Sequence, residues 1–408
     1  MRTVFLILLG VLYTAALHAV TDTLRNTHFN DTNRYPVIHR IGFDLRPAYL
    51  VPTNRFLRGE NEKGKPINQA FSAHLKYAFQ FHPDSYEGRM FPGTYQGIGI
   101  SYNTFGEPHQ LGNPVAVYLF QGSPIVRFSP KLSLNYEWNF GIACGWKPYD
   151  YDTNPYNRVI GSKVNAYLNT NFYLDYQFAR EWKLAAGIDF THYSNGNTSF
   201  PNAGVNTIGA RIGIIRTFTP GSVYEAPHTL SPLPAFQRHF SYDLIFFGSW
   251  RRKGIILEDR GIASPEKYPV LGFNFAPMYN FHPRFRGGIS LDGIYDSSAS
   301  AYVKEDGTNE NGEPNLIVLS PPRRYQYALG LSARAELVMP YFSVNIGIGA
   351  NALYRSHDFK GCYQVLALKF SVTRNTFLHI GYNLQNFQNP NYLMLGIGYR
   401  FNNKRFIR

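Results

Sequence analysis

The residues best suited to do chemistry lie in THYSNGNTSFPNAGVN, residues 191–206. His192 and Ser194 are separated by one residue, and a turn rich in glycine and asparagine leads on to Asn206. On an extended strand, residues i and i+2 share a face at roughly 7 Å along the chain, a gap that an imidazole and a seryl hydroxyl can close with suitable rotamers. The histidine would take the hydroxyl proton, the serine oxygen would attack an ester carbonyl, and the same histidine would return a proton to the departing alcohol. Asn206, across the hairpin, offers an amide oxygen to fix the imidazole tautomer, although an amide stabilises an imidazolium less than a carboxylate does. Gly196, Asn202 and the backbone around Ala203 and Gly204 lie in or beside the turn and could present N–H groups to an oxyanion. The plain alternative is an ordinary hairpin loop in which Asn and Gly meet the demands of the turn.

The elements that must hold these residues are strands. In 182–193, Trp182, Leu184, Ala186, Ile188 and Phe190 form an oily face that His192 and Ser194 continue. Lys183, Asp189, Thr191 and Tyr193 take the other face, so Asp189 points away from His192. In the next strand Asn206 shares a face with Ile208, Ala210, Ile212 and Ile214. The same period-two alternation recurs from residue 37 to the chain end, as in AYLNTNFYLDYQF (166–178) and YFSVNIGIGA (341–350). Aromatic residues make up 16% of the chain and charged residues only 16%, low for a soluble protein. Strands of ten to fourteen residues with polar, glycine-rich second faces point to an all-β fold, a transmembrane antiparallel β-barrel, and against a soluble sandwich. The oily face is then the lipid face, where a histidine and a serine are costly unless they have a function.

The alternation predicts about sixteen strands over residues 37–401, with fourteen or twelve remaining open. Connections after even-numbered strands are mostly tight, and those after odd-numbered strands are often long, notably 50–68, 146–164 and 296–323. This is the rhythm of periplasmic turns and external loops. The segments 83–92 and the proline-rich 219–239 break it. The second falls after eight strands and could separate two eight-stranded barrels. The expectation favours an excursion within one enlarged barrel of about 14–16 strands.

Residues 1–19 carry an early positive charge and an apolar run, as an export signal does, and 20–36 form an N-terminal segment ahead of the barrel. The remainder has no run of eighteen apolar residues, which excludes an ordinary helical membrane protein. Net charge is +13, which for an exported chain suits anionic headgroups or sugar phosphates and not nucleic acid. Cys144 and Cys362 could form one bridge after export, too few for a disulfide scaffold. No zinc cluster, phosphate loop or nucleic-acid module is evident, and no metal or cofactor is expected. The polar run 306–313 is expected to be an exposed, mobile loop.

The stretch 191–206 resembles the outer-membrane lipid A 3-O-deacylases, the PagL family. Their pattern is a His-aromatic-Ser-Asn strand end followed by a Pro-Asn-x-Gly turn. Here it reads His192-Tyr193-Ser194-Asn195, then Pro201-Asn202-Ala203-Gly204. The resemblance implies a barrel in the outer membrane of a Gram-negative bacterium that removes an ester-linked 3-hydroxyacyl chain from the lipid A of lipopolysaccharide. It implies Ser194 as nucleophile, His192 as base, Asn202 with Gly196 near the oxyanion, and no cofactor. Where the family carries a glutamate, this chain has Asn206. Familiar members have eight strands, so nearly half of the chain lies outside the resemblance. Arg251, Arg252 and Lys253 end a predicted strand on the exterior side, where they would hold lipid A phosphates or be ordinary rim charges. Asn206, the extra strands and the long loops also motivate a second expectation, a non-catalytic channel or a structural subunit with protein partners in an outer-membrane assembly.

Overall fold

Alternating oily and polar side chains build almost the whole molecule. The computed structural model describes residues 37–218, 236–252, 254–257, 260–263, 266–308, 314–319, 321–387 and 389–404. The signal and N-terminal segment, Lys253 and most of 219–239 lie outside the described residues.

The first unit contains β1 (Ile38–Leu50), β2 (Gln69–Gln80), β3 (Tyr95–Thr104), β4 (Gly112–Ser129), β5 (Leu132–Trp146), β6 (Val164–Gln177), β7 (Trp182–Ser194) and β8 (Val205–Phe218). Each pairs antiparallel with the next, and β8 returns to β1 from His39 against Phe218 to Leu50 against Thr207, closing the barrel. In β6, Phe172, Leu174 and Tyr176 are exposed on the outer wall, while Asn169, Asn171 and Asp175 are buried inside. The irregular connection 81–94 holds a short helix, α1 (Tyr86–Met90), whose first turn is capped when Gly88 N donates to Ser85 Oγ at 3.0 Å.

The second unit contains β9 (His239–Arg251), a loop hairpin of β10 (Gly254–Leu257) and β11 (Arg260–Ala263), then β12 (Tyr268–His282) and β13 (Phe285–Asp296). A second loop hairpin, β14 (Tyr302–Thr308) and β15 (Pro314–Leu319), takes in 306–308 of the run expected to be a mobile loop, and 309–313 lie outside the described residues. The wall continues with β16 (Tyr327–Val338), β17 (Phe342–Tyr354), β18 (Cys362–Ser371), β19 (Thr376–Gln385) and β20 (Asn389–Phe401). It closes where β20 meets β9, from Leu395 against Gly248 to Phe401 against Tyr242.

The chain is therefore all-β, as expected, but the single enlarged barrel is corrected to two closed barrels of eight strands each. Alternation along a strand is the same whichever neighbour completes the wall, so it could not decide between them. The side chains inside explain the closure. Eight strands enclose a space that side chains just fill. In the first barrel that space holds Arg46, Lys76 and Arg211 against Asp44, Glu137 and Asp189. Lys76 lies 2.8 Å from Asp44 and 3.0 Å from Glu137, and Arg46 lies 3.0 Å from Asp189. In the second, Asp243 lies 2.8 Å from Lys369 and 2.6 Å from Arg400, Glu336 pairs with Lys369 and Arg286, and Asp292 lies 2.9 Å from Arg334. Buried charges must be paired in this way. The packed interiors leave no room for the wide aqueous lumen that sixteen strands would enclose. Cys144 and Cys362 are both free thiols.

Candidate active site on the first barrel wall

β7 and β8 meet at the long-loop end of the first barrel. Below the turn, Leu184, Ile188, Phe190, Ile208 and Ile212 are exposed on the outer wall, and His192, Ser194 and Asn206 continue the same face half-buried. His192 stands directly across the ladder from Asn206, and on the other side Leu168 and Ala166 of β6 stand beside His192 and Ser194.

His192 Nδ1 is 2.7 Å from Asn206 Oδ1. An amide oxygen only accepts, so Nδ1 carries the proton and Nε2 keeps the lone pair needed by a base. Ser194 Oγ is engaged elsewhere. It accepts from Asn202 Nδ2 at 3.0 Å and from Gly196 N at 3.1 Å, and donates to Asn202 Oδ1 at 3.2 Å. Among the described residues no hydrogen bond joins Ser194 to His192. The two share a face, and proton transfer requires the hydroxyl to swing from the turn toward Nε2. Gly196 and Asn202 thus both contact Ser194 Oγ.

The turn adopts this path because its backbone enters the left-handed region at Gly196 (φ +63°), Asn197 (φ +66°) and Gly204 (φ +74°). Gly204 has a second requirement, since a Cβ there would lie 3.0 Å from Tyr193 O and 3.1 Å from His192 Cε1. Only a glycine lets the turn lie this close over the imidazole.

Sequence reasoning missed the support behind the turn. Gly204 N donates to Val159 O in the β5–β6 loop at 3.2 Å. That loop approaches so closely that a Cβ on Gly161 would lie 2.6 Å from Pro201 O. It is tied down by Asn157, fully buried, whose Nδ2 donates to Gln110 O (2.9 Å) and Lys147 O (2.8 Å) while its Oδ1 accepts from Val159 N (3.0 Å) and Ile160 N (3.1 Å). Beneath the site the buried Tyr193 donates to Asn103 Oδ1 at 2.9 Å and packs edge-on against Trp146 and Phe105.

Asp189 faces the lumen, paired with Arg46, and takes no part in the outer constellation. Arg251 belongs to the second barrel. It lies at the long-loop end of β9 but turns into the barrel mouth, where Nη1 meets Asp296 Oδ2 at 3.1 Å and Asn391 Oδ1 at 2.6 Å. Arg251 is thus an ion-paired residue. Arg252 is half-buried beside it, and Lys253 lies outside the described residues. Among the described residues no group of His, Cys, Asp or Glu is placed to hold a metal ion.

Comparison with known families divides the chain at the same point as the two barrels. The family described as lipid A 3-O-deacylase (PagL) matches residues 70–214, which take in β7, the whole turn and most of β8. The family described as acyloxyacyl hydrolase, C-terminal domain, matches residues 240–403. No curated protein matches the chain. Among solved structures, Neisserial surface protein A is 9% identical with a TM-score of 0.31, the match covering 44% of this chain and 97% of that one. The siderophore receptor PirA from Pseudomonas aeruginosa is 8% identical with a TM-score of 0.24, covering 89% and 80%. The toluene transporter TbuX from Ralstonia pickettii is 8% identical with a TM-score of 0.17, covering 89% and 87%.

Proposed function

We propose that this chain, which belongs to the PagL-like family of outer-membrane lipid A 3-O-deacylases, is an active serine esterase that uses Ser194 and His192 to release a 3-hydroxyacyl chain from lipid A. The observation that carries the reading is the His192–Asn206 hydrogen bond, which leaves Nε2 basic on the same outward face as Ser194. Outer-leaflet lipid A would then meet the site sideways, without leaving the membrane.

In this reading His192 Nε2 removes the Ser194 hydroxyl proton as Oγ bonds to the ester carbonyl carbon. The negative charge moves to the carbonyl oxygen, where Gly196 N–H and Asn202 Nδ2 are the donors at hand. Collapse breaks the bond to the sugar oxygen, which leaves with the proton from Nε2. Water then attacks the acyl-enzyme, giving its proton to His192, and the 3-hydroxy fatty acid departs as Ser194 is restored. Asn206 holds the ring and its tautomer throughout.

The test is mass spectrometry of lipid A incubated with purified protein. Wild type should remove one 3-hydroxyacyl chain, and Ser194→Ala and His192→Ala should remove none. Lipid A left intact by wild type overturns the proposal. Phosphate contact by Arg252 and Lys253 is a separate proposal, tested as binding to the second barrel: their double alanine variant should bind phosphorylated lipid A more weakly and dephosphorylated lipid A as wild type does. Because Asn206 replaces a carboxylate, a structural role with protein partners stands as the second reading. It predicts partners that co-purify after mild extraction together with wild-type protein lacking deacylase activity.

A further inference from the structure

The second barrel has a concavity that the esterase does not use. At its long-loop mouth, the ends of β9, β13, β19 and β20 and the loop between β17 and β18 surround a cup of about 500 Å³, within the range of small-ligand sites, roughly 300–1,000 Å³. A narrower recess of about 20 Å³ continues below it between Asn274 and Tyr392, space for about one water or one hydroxyl group.

The lining selects a class of ligand. Arg251 pairs with Asp296, and Lys360 and Asp358 add one charge of each sign to the lining, which therefore offers no net attraction to an anion or a cation. The rest is largely amide. Asn391 accepts from Arg251 and donates to Asn383. Gln385 gives its Nε2 protons to Asp358 O and Lys360 O, which leaves Oε1 as an acceptor. Two buried polar atoms lack partners, Arg251 Nε and Asn274 Oδ1, the latter on a side chain only 3% exposed that borders the recess. Buried polar atoms are normally satisfied, so a donor on a residue lining the cup and an acceptor on a residue lining the recess are left for a ligand or water that brings both. An apolar molecule brings neither. A chain of vicinal hydroxyl groups brings both.

We infer that the mouth of the second barrel is a binding site for a neutral saccharide. Amide groups and an Arg–Asp pair can meet adjacent hydroxyls as paired donors and acceptors, and one hydroxyl fits the recess beside Asn274. The sugar has two possible sources: the core saccharide of lipopolysaccharide or a free glycan.

The experiment uses full-length protein in detergent micelles and measures titration of two probes by calorimetry. One is core oligosaccharide cut from lipopolysaccharide by mild acid, dephosphorylated and carboxyl-reduced so that it is neutral; the other is maltotriose. Saturable binding of the first alone assigns lipopolysaccharide as the source, of the second alone a free glycan, and either upholds the site. Asn391→Ala and Gln385→Ala, with folding checked by circular dichroism, should each weaken binding about tenfold. Ser194→Ala should bind as wild type does, which separates this inference from the esterase proposal. Absence of saturable binding by both probes, or affinities unchanged in both cup variants, overturns it. So does binding that appears only when phosphates are left on the core, because the cup would then be reading charge.

Discussion

His192 and Asn206 face each other across the β7–β8 ladder with Nδ1 and Oδ1 2.7 Å apart, so an amide occupies the position at which the imidazole is oriented. It sets the tautomer but supplies no full negative charge to the imidazolium of the proposed attack. Asn206→Glu restores a charged acceptor, and charge-assisted hydrogen bonds are roughly twice as strong as neutral ones. The expected result is a rise in kcat of about tenfold, equivalent to about 1.4 kcal/mol. Asn206→Ala releases the ring and should lower kcat about a hundredfold. Rates of acyl release from lipid A in detergent decide the matter, and a glutamate variant no faster than wild type would show that charge is not what the site lacks.

Asn202 is in contact with Ser194 Oγ through both ends of its amide, which gives it two opposed roles. As a clamp on the resting hydroxyl it would slow attack, and its removal would raise the rate. As an oxyanion donor it would speed attack, and its removal should lower kcat by roughly 10²–10³-fold with little change in KM. The esterase reading requires the second outcome for Asn202→Ala. A faster variant would strike Asn202 from the oxyanion region.

The placement of these residues was legible because strand facing is a local property. Alternation in 182–193 put His192 and Ser194 on the outer wall and Asp189 in the lumen, where the structure has them. The second strand beyond the Pro-rich segment, expected at 268–279, runs Tyr268–His282. Closure was not legible, since the pairing of β8 with β1 joins residues far apart in sequence and leaves no periodic trace. Its indirect sign was the charge carried on inward faces, from Asp44 and Arg46 to Arg211. The rotamer that ties Ser194 to Asn202 has no sequence signature either. Nor has Asn157, because an asparagine in a long loop reads as a turn former whether it is exposed or buried.

Asn157 links that missed support to the chemistry. Its side chain makes four hydrogen bonds with the backbone of loops that lead to Val159, the acceptor for Gly204 N. Asn157→Ala loses all four and should cost about 2–4 kcal/mol, at about 1 kcal/mol for each net bond. Asn157→Asp keeps the oxygen that receives Val159 N and Ile160 N and should fall between alanine and wild type. If the loop also holds the turn in register, kcat measured on folded protein should follow the same order while KM stays nearly constant. Equal kcat in all three proteins would confine Asn157 to stability.

The ionic layer inside the first barrel leads to a different prediction, one on folding without effect on chemistry. Arg211 is fully buried, 3.1 Å from Asp44 and 3.3 Å from Glu137, with its guanidinium 4.0 Å from the centre of the Tyr173 ring. Arg211→Leu leaves two carboxylates facing one fewer cation in a space closed to water. Breaking a buried pair in this way costs about 3–5 kcal/mol. The double variant Arg211→Leu, Glu137→Leu removes one charge of each sign, leaving Arg46 and Lys76 against Asp44 and Asp189. It should recover most of the loss. Urea unfolding in micelles, followed by tryptophan fluorescence, measures both. Since Arg211 points inward and His192 outward, the rate per folded molecule should be unchanged in either variant. A double variant as unstable as the single would mean that Glu137 is needed for its contacts with Lys76 and Tyr95, and that charge balance alone does not hold the lumen together.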